Sequence, residues 1–123
     1  MDKDLSVVYW MVSKEELLKL LDEQKNKYTH EKVASSFKKW NKTIQYHFTD
    51  REEYYSFELV DGQPRQIVEG KLENPDIEYA MSTETFLSLI NKEISGFKLY
   101  QQKKIKVKAS MPELIKLQKL DKI

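Results

Sequence analysis

The 123 residues are enough for one domain with a true core, spanning 1–123, and too few for two. Hydrophobic residues make up 40% and charged residues 33%, the balance of a globular chain with a heavily charged surface. The formal net charge of +1 counts against a surface built to follow phosphates, and the absence of cysteine excludes disulfides and thiol chemistry.

In chain order, "LSVVYWMV" at 5–12 is the first apolar run. It is too short to cross a membrane and lacks the basic leader and small-residue cleavage site of a secretory signal, so a cytoplasmic location is expected. Its valines and aromatics suit either an extension of the next helix or a separate element. Residues 14–27, "KEELLKLLDEQKNK", read as a helix with Leu17, Leu20 and Leu21 on one face. Ser13 and Glu16 have the spacing of a capping box. A second helical segment, about 30–40, places Val33, Phe37 and Trp40 on one stripe.

The period then falls from 3.6 to 2. In "KTIQYHFT", Ile44, Tyr46 and Phe48 alternate with Gln45, His47 and Thr49; in "EEYYSFELV", Tyr55, Phe57 and Leu59 alternate with Tyr54, Ser56 and Glu58. Asp61-Gly62 supplies turn chemistry, and "RQIVEGKL" returns as a third strand. Asn74-Pro75-Asp76 breaks the pattern before "DIEYAMS", a fourth strand with Ile77, Tyr79 and Met81 on one face. A helix over about 83–93, capped by Ser82 or Thr83, turns Phe86, Leu89 and Ile90 one way. The shorter "GFKLYQQ" leads to a fifth strand, "KKIKVKAS", with Ile105, Val107 and Ala109 inward and Lys104, Lys106 and Lys108 outward. A final helix starts at Ser110, with a capping box to Glu113, and carries Leu114, Leu117 and Leu120. This order defines an α+β fold.

Catalytic motifs are missing. His30 and His47 have no metal-ligand partner at a useful spacing, and no HExxH, P-loop, GxGxxG or Gly-x-Ser-x-Gly is present. The pairs Glu52-Glu53 and Asp76/Glu78 fit strand-edge solvation and turn chemistry better than acid–base work. The aromatic residues, 11% of the chain, fall largely on inward faces. A filled core and a cavity wall share that signature; buried Tyr46, Tyr55 and Tyr79 favour a cavity, because each phenol needs a polar partner.

From about residue 57 to 120 the chain resembles the sterol carrier protein-2 (SCP2) domain family. The resemblance lies in "YSFELVDGQ" and in "PDIEYAMSTETFLSLINKEISGFKLYQQKKIKVKASMPELIKLQKL". Asp76 and Ser82 answer to the family's D-x-x-x-x-x-S strand, Phe86, Leu87 and Leu89 to the helix after it, and Gly96 and Phe97 to the glycine loop and aromatic turn. "KKIKVKAS" answers to the G-K-[LI]-K-[IV]-x-G strand, with Lys103 or Lys104 and Ala109 or Ser110 where the family has glycine.

The resemblance implies a five-stranded, mostly antiparallel sheet covered on one side by helices. It also implies a tunnel between sheet and helices for a fatty acid, fatty acyl-CoA, sterol or similar lipid, with the last helix as a movable wall. The expected cavity wall is Ile44, Phe48, Phe57, Tyr79 and Met81 from the sheet, with Phe86, Ile90, Phe97, Leu114 and Leu117 from the helices. No catalytic residue, cofactor or metal is expected. The expected partner is thus an apolar small molecule and not nucleic acid, with transient membrane contact and a homodimer left open. The lysines of strand five then solvate one face rather than bind RNA. The alternative is a non-enzymatic interaction module with a filled core, self-associating or docking to a lipid-metabolising enzyme.

Overall fold

The computed structural model describes residues 12–123; the apolar run at 5–12 lies, except for Val12, outside the described residues. The described residues open with α1, Lys14–Asn26, whose N-cap Ser13 accepts a hydrogen bond from the Glu16 backbone N–H. Leu17 and Leu21 are buried while Leu20 lies at the edge of the core. The expected helix over 30–40 is shorter and broken. A 3-10 turn, Lys27–Thr29, and a single helical turn, α2, Ala34–Phe37, flank His30, whose backbone is extended at φ −63° and ψ 137°. His30 Nδ1 accepts from the Lys32 N–H, an alternative to helical bonding. Val33, Phe37 and Trp40 are nonetheless all buried, so the apolar stripe packs even though the helix does not continue.

Strands β1 (Lys42–Phe48) and β2 (Glu53–Val60) form an antiparallel hairpin in the register Ile44–Phe57 and Tyr46–Tyr55. Asp61 and Gly62 then make a two-residue turn, both at positive φ (51° and 77°), into β3 (Gln63–Pro64). That pair of left-handed residues is what a twisted hairpin requires. The expected third strand is split. Leu59 faces Pro64 but Ser56 faces Val68, so three residues, 65–67, oppose the two residues Phe57 and Glu58. This extra residue is a bulge, and beyond it the strand resumes as β4 (Val68–Glu69). Among the described residues the sheet therefore has six strands where five were expected.

A loop carries the chain back to β5 (Ile77–Met81), which lies beside β1 and parallel to it. β6 (Lys106–Lys108) closes that edge antiparallel to β5, giving the order β3-β2-β1-β5-β6 with β4 also on β2. The loop has a second role. Gln45 points away from the helices yet is fully buried, because its amide donates to Glu78 Oε1 (2.9 Å) and accepts from the Leu72 N–H (2.7 Å). Two further connections carry helices α3 (Thr83–Ile90), α4 (Gly96–Gln101) and α5 (Met111–Leu117), followed by a 3-10 tail, Gln118–Lys122.

The inward face of β1, β2 and β5 carries Ile44, Tyr46, Phe48, Tyr55, Phe57, Leu59, Ile77 and Met81, all buried against Leu17, Leu21, Tyr28, Phe37 and Phe86. Edge-to-face aromatic contacts fill this centre: Phe48–Phe86 at 5.2 Å, Tyr28–Phe37 at 4.9 Å and Phe37–Trp40 at 5.0 Å between centroids. This part of the aromatic pattern is thus an ordinary core.

Candidate functional site

The sheet's β6 edge is built differently. β6 has only three residues, and the short helices α4 and α5 cover it without filling the space. They leave an apolar cavity of about 260 Å³, somewhat below the usual small-molecule range of roughly 300–1,000 Å³. Tyr79, Ile105 and Val107 form its floor; Phe97 and Tyr100 of α4 and Met111, Leu114, Ile115 and Leu117 of α5 form its walls. Four of these are large apolar side chains open to solvent: Met111 (68% exposed), Ile115 (58%), Phe97 (41%) and Tyr100 (41%). Clustered exposure of this kind marks a binding surface, whereas single exposed apolar residues do not. A second recess of about 140 Å³ adjoins the first, sharing Gln24, Leu89, Leu120 and Asp121, and continues past Lys27 and Lys92.

Of the ten residues expected in the wall, Tyr79, Phe97, Leu114 and Leu117 line the cavity. Ile44, Phe48, Phe57 and Phe86 do not: they interlock in the filled centre, where α1, α3 and the segment 27–40 seal the sheet. Met81 is buried there too and touches a separate polar recess of about 680 Å³ that also includes His47, Glu84 and Lys106. Ile90 is a half-buried neighbour of the core and absent from the cavity lining. Alternation shows which side chains face inward, but not where the covering helices fail to reach. The pattern marks Ile105 and Val107 as inward but gives no signal for Tyr100, Met111 and Ile115, because a rim residue has no partner in it.

The polar groups at the deep end of the cavity come from α1 and the sheet. Gln24 is buried although glutamine is seldom so, and it lines the cavity beside Tyr79. The Tyr46 and Tyr79 rings stack at 5.0 Å, and Tyr28 lies close by. Burial pushes all three phenols above their ordinary pKa; Tyr46 and Tyr79 raise Tyr28 further, while the Gln24 amide partly offsets the rise at Tyr46. The Gln24 amide lies beside the Tyr46 hydroxyl, and the Tyr28 hydroxyl beside that of Tyr79, in contacts longer or less well aligned than a full hydrogen bond.

The wall formed by α5 and the tail is tied at several points. Ser110 and Glu113 form a full capping box, and Glu113 also pairs with Lys42 at 2.6 Å. Lys116 lies over the Trp40 ring, and Lys119 donates to Ser36. Two further carboxylates are occupied structurally: Glu53 accepts from Arg51 and Tyr55, and Asp76 accepts from the Thr43 N–H. No group of three or more metal-ligating side chains converges among the described residues, and no helix there is long and apolar enough to cross a membrane.

A helix-covered mixed sheet with an apolar cavity at one edge makes this an α+β domain of the kind that can enclose an apolar small molecule. The chain belongs to the SCP-2 sterol transfer family, whose model matches residues 18–122. Solved structures agree on the fold. Palmitated SCP2L2 from Aedes aegypti aligns with a TM-score of 0.64 at 16% identity, over 83% of this chain and 90% of that one. Sterol carrier protein 2 from Yarrowia lipolytica, in its apo form, aligns at 0.57 and 19% identity over 90% and 91%. The sec-alkylsulfatase Pisa1 from Pseudomonas sp. aligns at 0.54 and 15% identity over 65% of this chain, which spans only 13% of that enzyme. No curated protein matches the sequence.

Proposed function

We propose that this protein is a cytoplasmic, non-enzymatic carrier that holds a fatty acid, fatty acyl-CoA, sterol or similar lipid in the cavity under α4 and α5. The observation that carries this reading is the apolar space at the β6 edge, rimmed by exposed Phe97, Tyr100, Met111 and Ile115. Burying one CH₂ is worth about 0.8 kcal/mol, so a 16-carbon chain offers on the order of 12 kcal/mol gross. Several kcal/mol lost in ordering the chain still leave roughly micromolar affinity or better. The rim gives the lipid an apolar path in from a membrane surface during transient contact. Native mass spectrometry and solvent extraction of purified protein test the reading: a co-purifying lipid is expected, and protein that neither carries nor takes up any lipid refutes it.

The filled centre of the sheet supports a second reading, an interaction module whose exposed apolar rim docks a protein, such as a second copy of this chain or a larger enzyme. A concentration-dependent dimer by analytical ultracentrifugation, with no lipid uptake, is its expected signature.

A further inference from the structure

Charge is unevenly spread along this chain. Residues 96–123, which build α4, β6, α5 and the tail, hold eight lysines against two carboxylates, a net +6. Residues 1–95 hold thirteen basic against eighteen acidic side chains, a net −5. The near-neutral total therefore hides a separation of charge, and its positive end is the unit that carries the cavity mouth. Both carboxylates of that unit are engaged: Glu113 pairs with Lys42, and Asp121 accepts from the Gly96 and Phe97 amides. Lys98, Lys103, Lys104, Lys106 and Lys108 are exposed and make no ion pair among the described residues. Lys103, Lys104 and Lys106 gather on the polar recess, with Glu84 as the carboxylate among its lining residues.

The same unit turns apolar side chains to solvent. Exposed Phe97 and Tyr100 share a face of α4 at i, i+3, and exposed Met111 and Ile115 share one of α5 at i, i+4. Lys98 stands between the first pair in sequence, and Lys103 and Lys104 follow Tyr100 where α4 ends. Apolar anchors flanked by lysines suit helices that lie in the interface of an anionic bilayer. A nucleic acid would satisfy the lysines but leave Met111 and Ile115 against its phosphates; a bilayer meets both, headgroups on the lysines and acyl chains on the rim. The first helix is no rival. Its side chains include Glu15, Glu16, Asp22 and Glu23, and of its three lysines Lys14 pairs with Glu69 and Lys25 with Asp22. Resting on the carrier reading and naming the surface its mouth meets, we infer that the α4–β6–α5 unit docks on an anionic lipid membrane, with its apolar rim inserted and α1 left in solvent.

Co-sedimentation with phosphatidylcholine vesicles, with and without about one-third phosphatidylserine, tests this, and the anionic vesicles should bind about tenfold more tightly or better. Each lysine near such a surface strengthens attachment about fivefold, so replacing Lys98, Lys103 and Lys104 together by glutamine should weaken it about ten- to hundredfold. These lysines do not line the apolar cavity, so the triple variant should take up a pyrene-tailed alkane from solution as the wild type does. The chain has no cysteine, which allows a single fluorophore to be placed at will. An environment-sensitive label on Ile115→Cys should brighten on the anionic vesicles, and the same label on Glu23→Cys in α1 should not. The wild-type vesicle series stands without the variants, should one misfold. Equal binding to both vesicles, an unweakened triple variant, or brightening at 23 and not at 115 overturns the docking and leaves the carrier intact. Salt-sensitive binding to single-stranded RNA, with none to the vesicles, overturns it too and assigns the lysines to nucleic acid. Protein that docks as expected but takes up no alkane keeps the docking surface and refutes the carrier.

Discussion

The Asp121 carboxylate clasps the start of α4 at Gly96. Its Oδ1 accepts from the Gly96 N–H at 2.9 Å and its Oδ2 from the Phe97 N–H at 3.1 Å. This fastens the 3-10 tail to the helix on the opposite wall of the cavity. Glycine eases the approach, since a Cβ at position 96 would lie 3.0 Å from that same Oδ1 and push the carboxylate back by a few tenths of an ångström. Gly96 therefore serves contact rather than an unusual φ. Sequence spacing marks the glycine but cannot reveal the carboxylate that reaches it.

Asp121→Ala should cost about 1 kcal/mol, as the loss of a helix-capping side chain commonly does. The cost should be local. Hydrogen exchange of the amides at 96–99 and 117–123 should accelerate, while β1 and β2 stay protected. Unchanged exchange at Gly96 and Phe97 would show that the clasp does not form in solution.

Gly62→Ala should be worse, by more than about 2 kcal/mol. Gly62 has φ +77°, and a Cβ there would lie 2.5 Å from the Phe37 carbonyl oxygen. The left-handed conformation alone costs an alanine roughly 1–2 kcal/mol, and neither side of the clash is a movable side chain. Asp61→Asn, at the other left-handed position, should be nearly neutral because asparagine tolerates that conformation. Urea denaturation of both variants checks the contrast.

The sequence made the sheet legible because every strand residue has a fixed neighbour two positions away. Ile44, Tyr46 and Phe48 face inward as their alternation requires, and Lys104, Lys106 and Lys108 face out. Asp61-Gly62 and the Ser110–Glu113 box were equally readable, since each is a local chemical requirement. Two things were not. The bulge at 65–67 shifts register without changing composition, so one expected strand became two. The cavity sits where α4 and α5 stop short of the β6 edge, a matter of helix length and placement, so alternation alone cannot tell that Phe48 and Phe86 meet each other in the core and not at the cavity wall. Gln24 was invisible for a related reason: on a helix surface a glutamine reads as solvated.

Stability should fall below about pH 4.5 through Glu113. Burial works to raise its pKa, but hydrogen bonds from Lys42 and Ser110 outweigh it and hold the carboxyl below its ordinary value of 4.5. A carboxyl whose folded pKa lies below its unfolded one stabilises fully above the unfolded value. That contribution is lost as pH falls through the folded value. The loss should be on the order of 1 kcal/mol, the range of a partly exposed pair, and should loosen α5 before the sheet. Glu113→Gln should flatten this part of the pH profile of thermal unfolding; an unaltered profile would place the acid sensitivity elsewhere.

Ligand and stability should rise together. An empty, dry cavity costs about 24 cal/mol per Å³. On that scale the 260 Å³ under α4 and α5 amounts to roughly 6 kcal/mol, an upper bound because the exposed rim lets water in. Even part of that sum is a large fraction of the 5–15 kcal/mol typical of a domain. Delipidated protein should therefore melt lower than loaded protein. Ligand at a hundred times its Kd should return about 2.7 kcal/mol, a shift of roughly 10 °C for a chain of this size. The ties from Glu113 to Lys42 and from Lys119 to Ser36 should hold α5 in place, so its wall should yield by side-chain movement at Met111, Leu114 and Ile115. Leu114→Trp, which fills the cavity from a half-buried position, should abolish the ligand-induced shift without lowering the melting point of the delipidated protein. A full shift retained in Leu114→Trp, measured by scanning calorimetry with and without hexadecanol, would place the lipid outside this cavity.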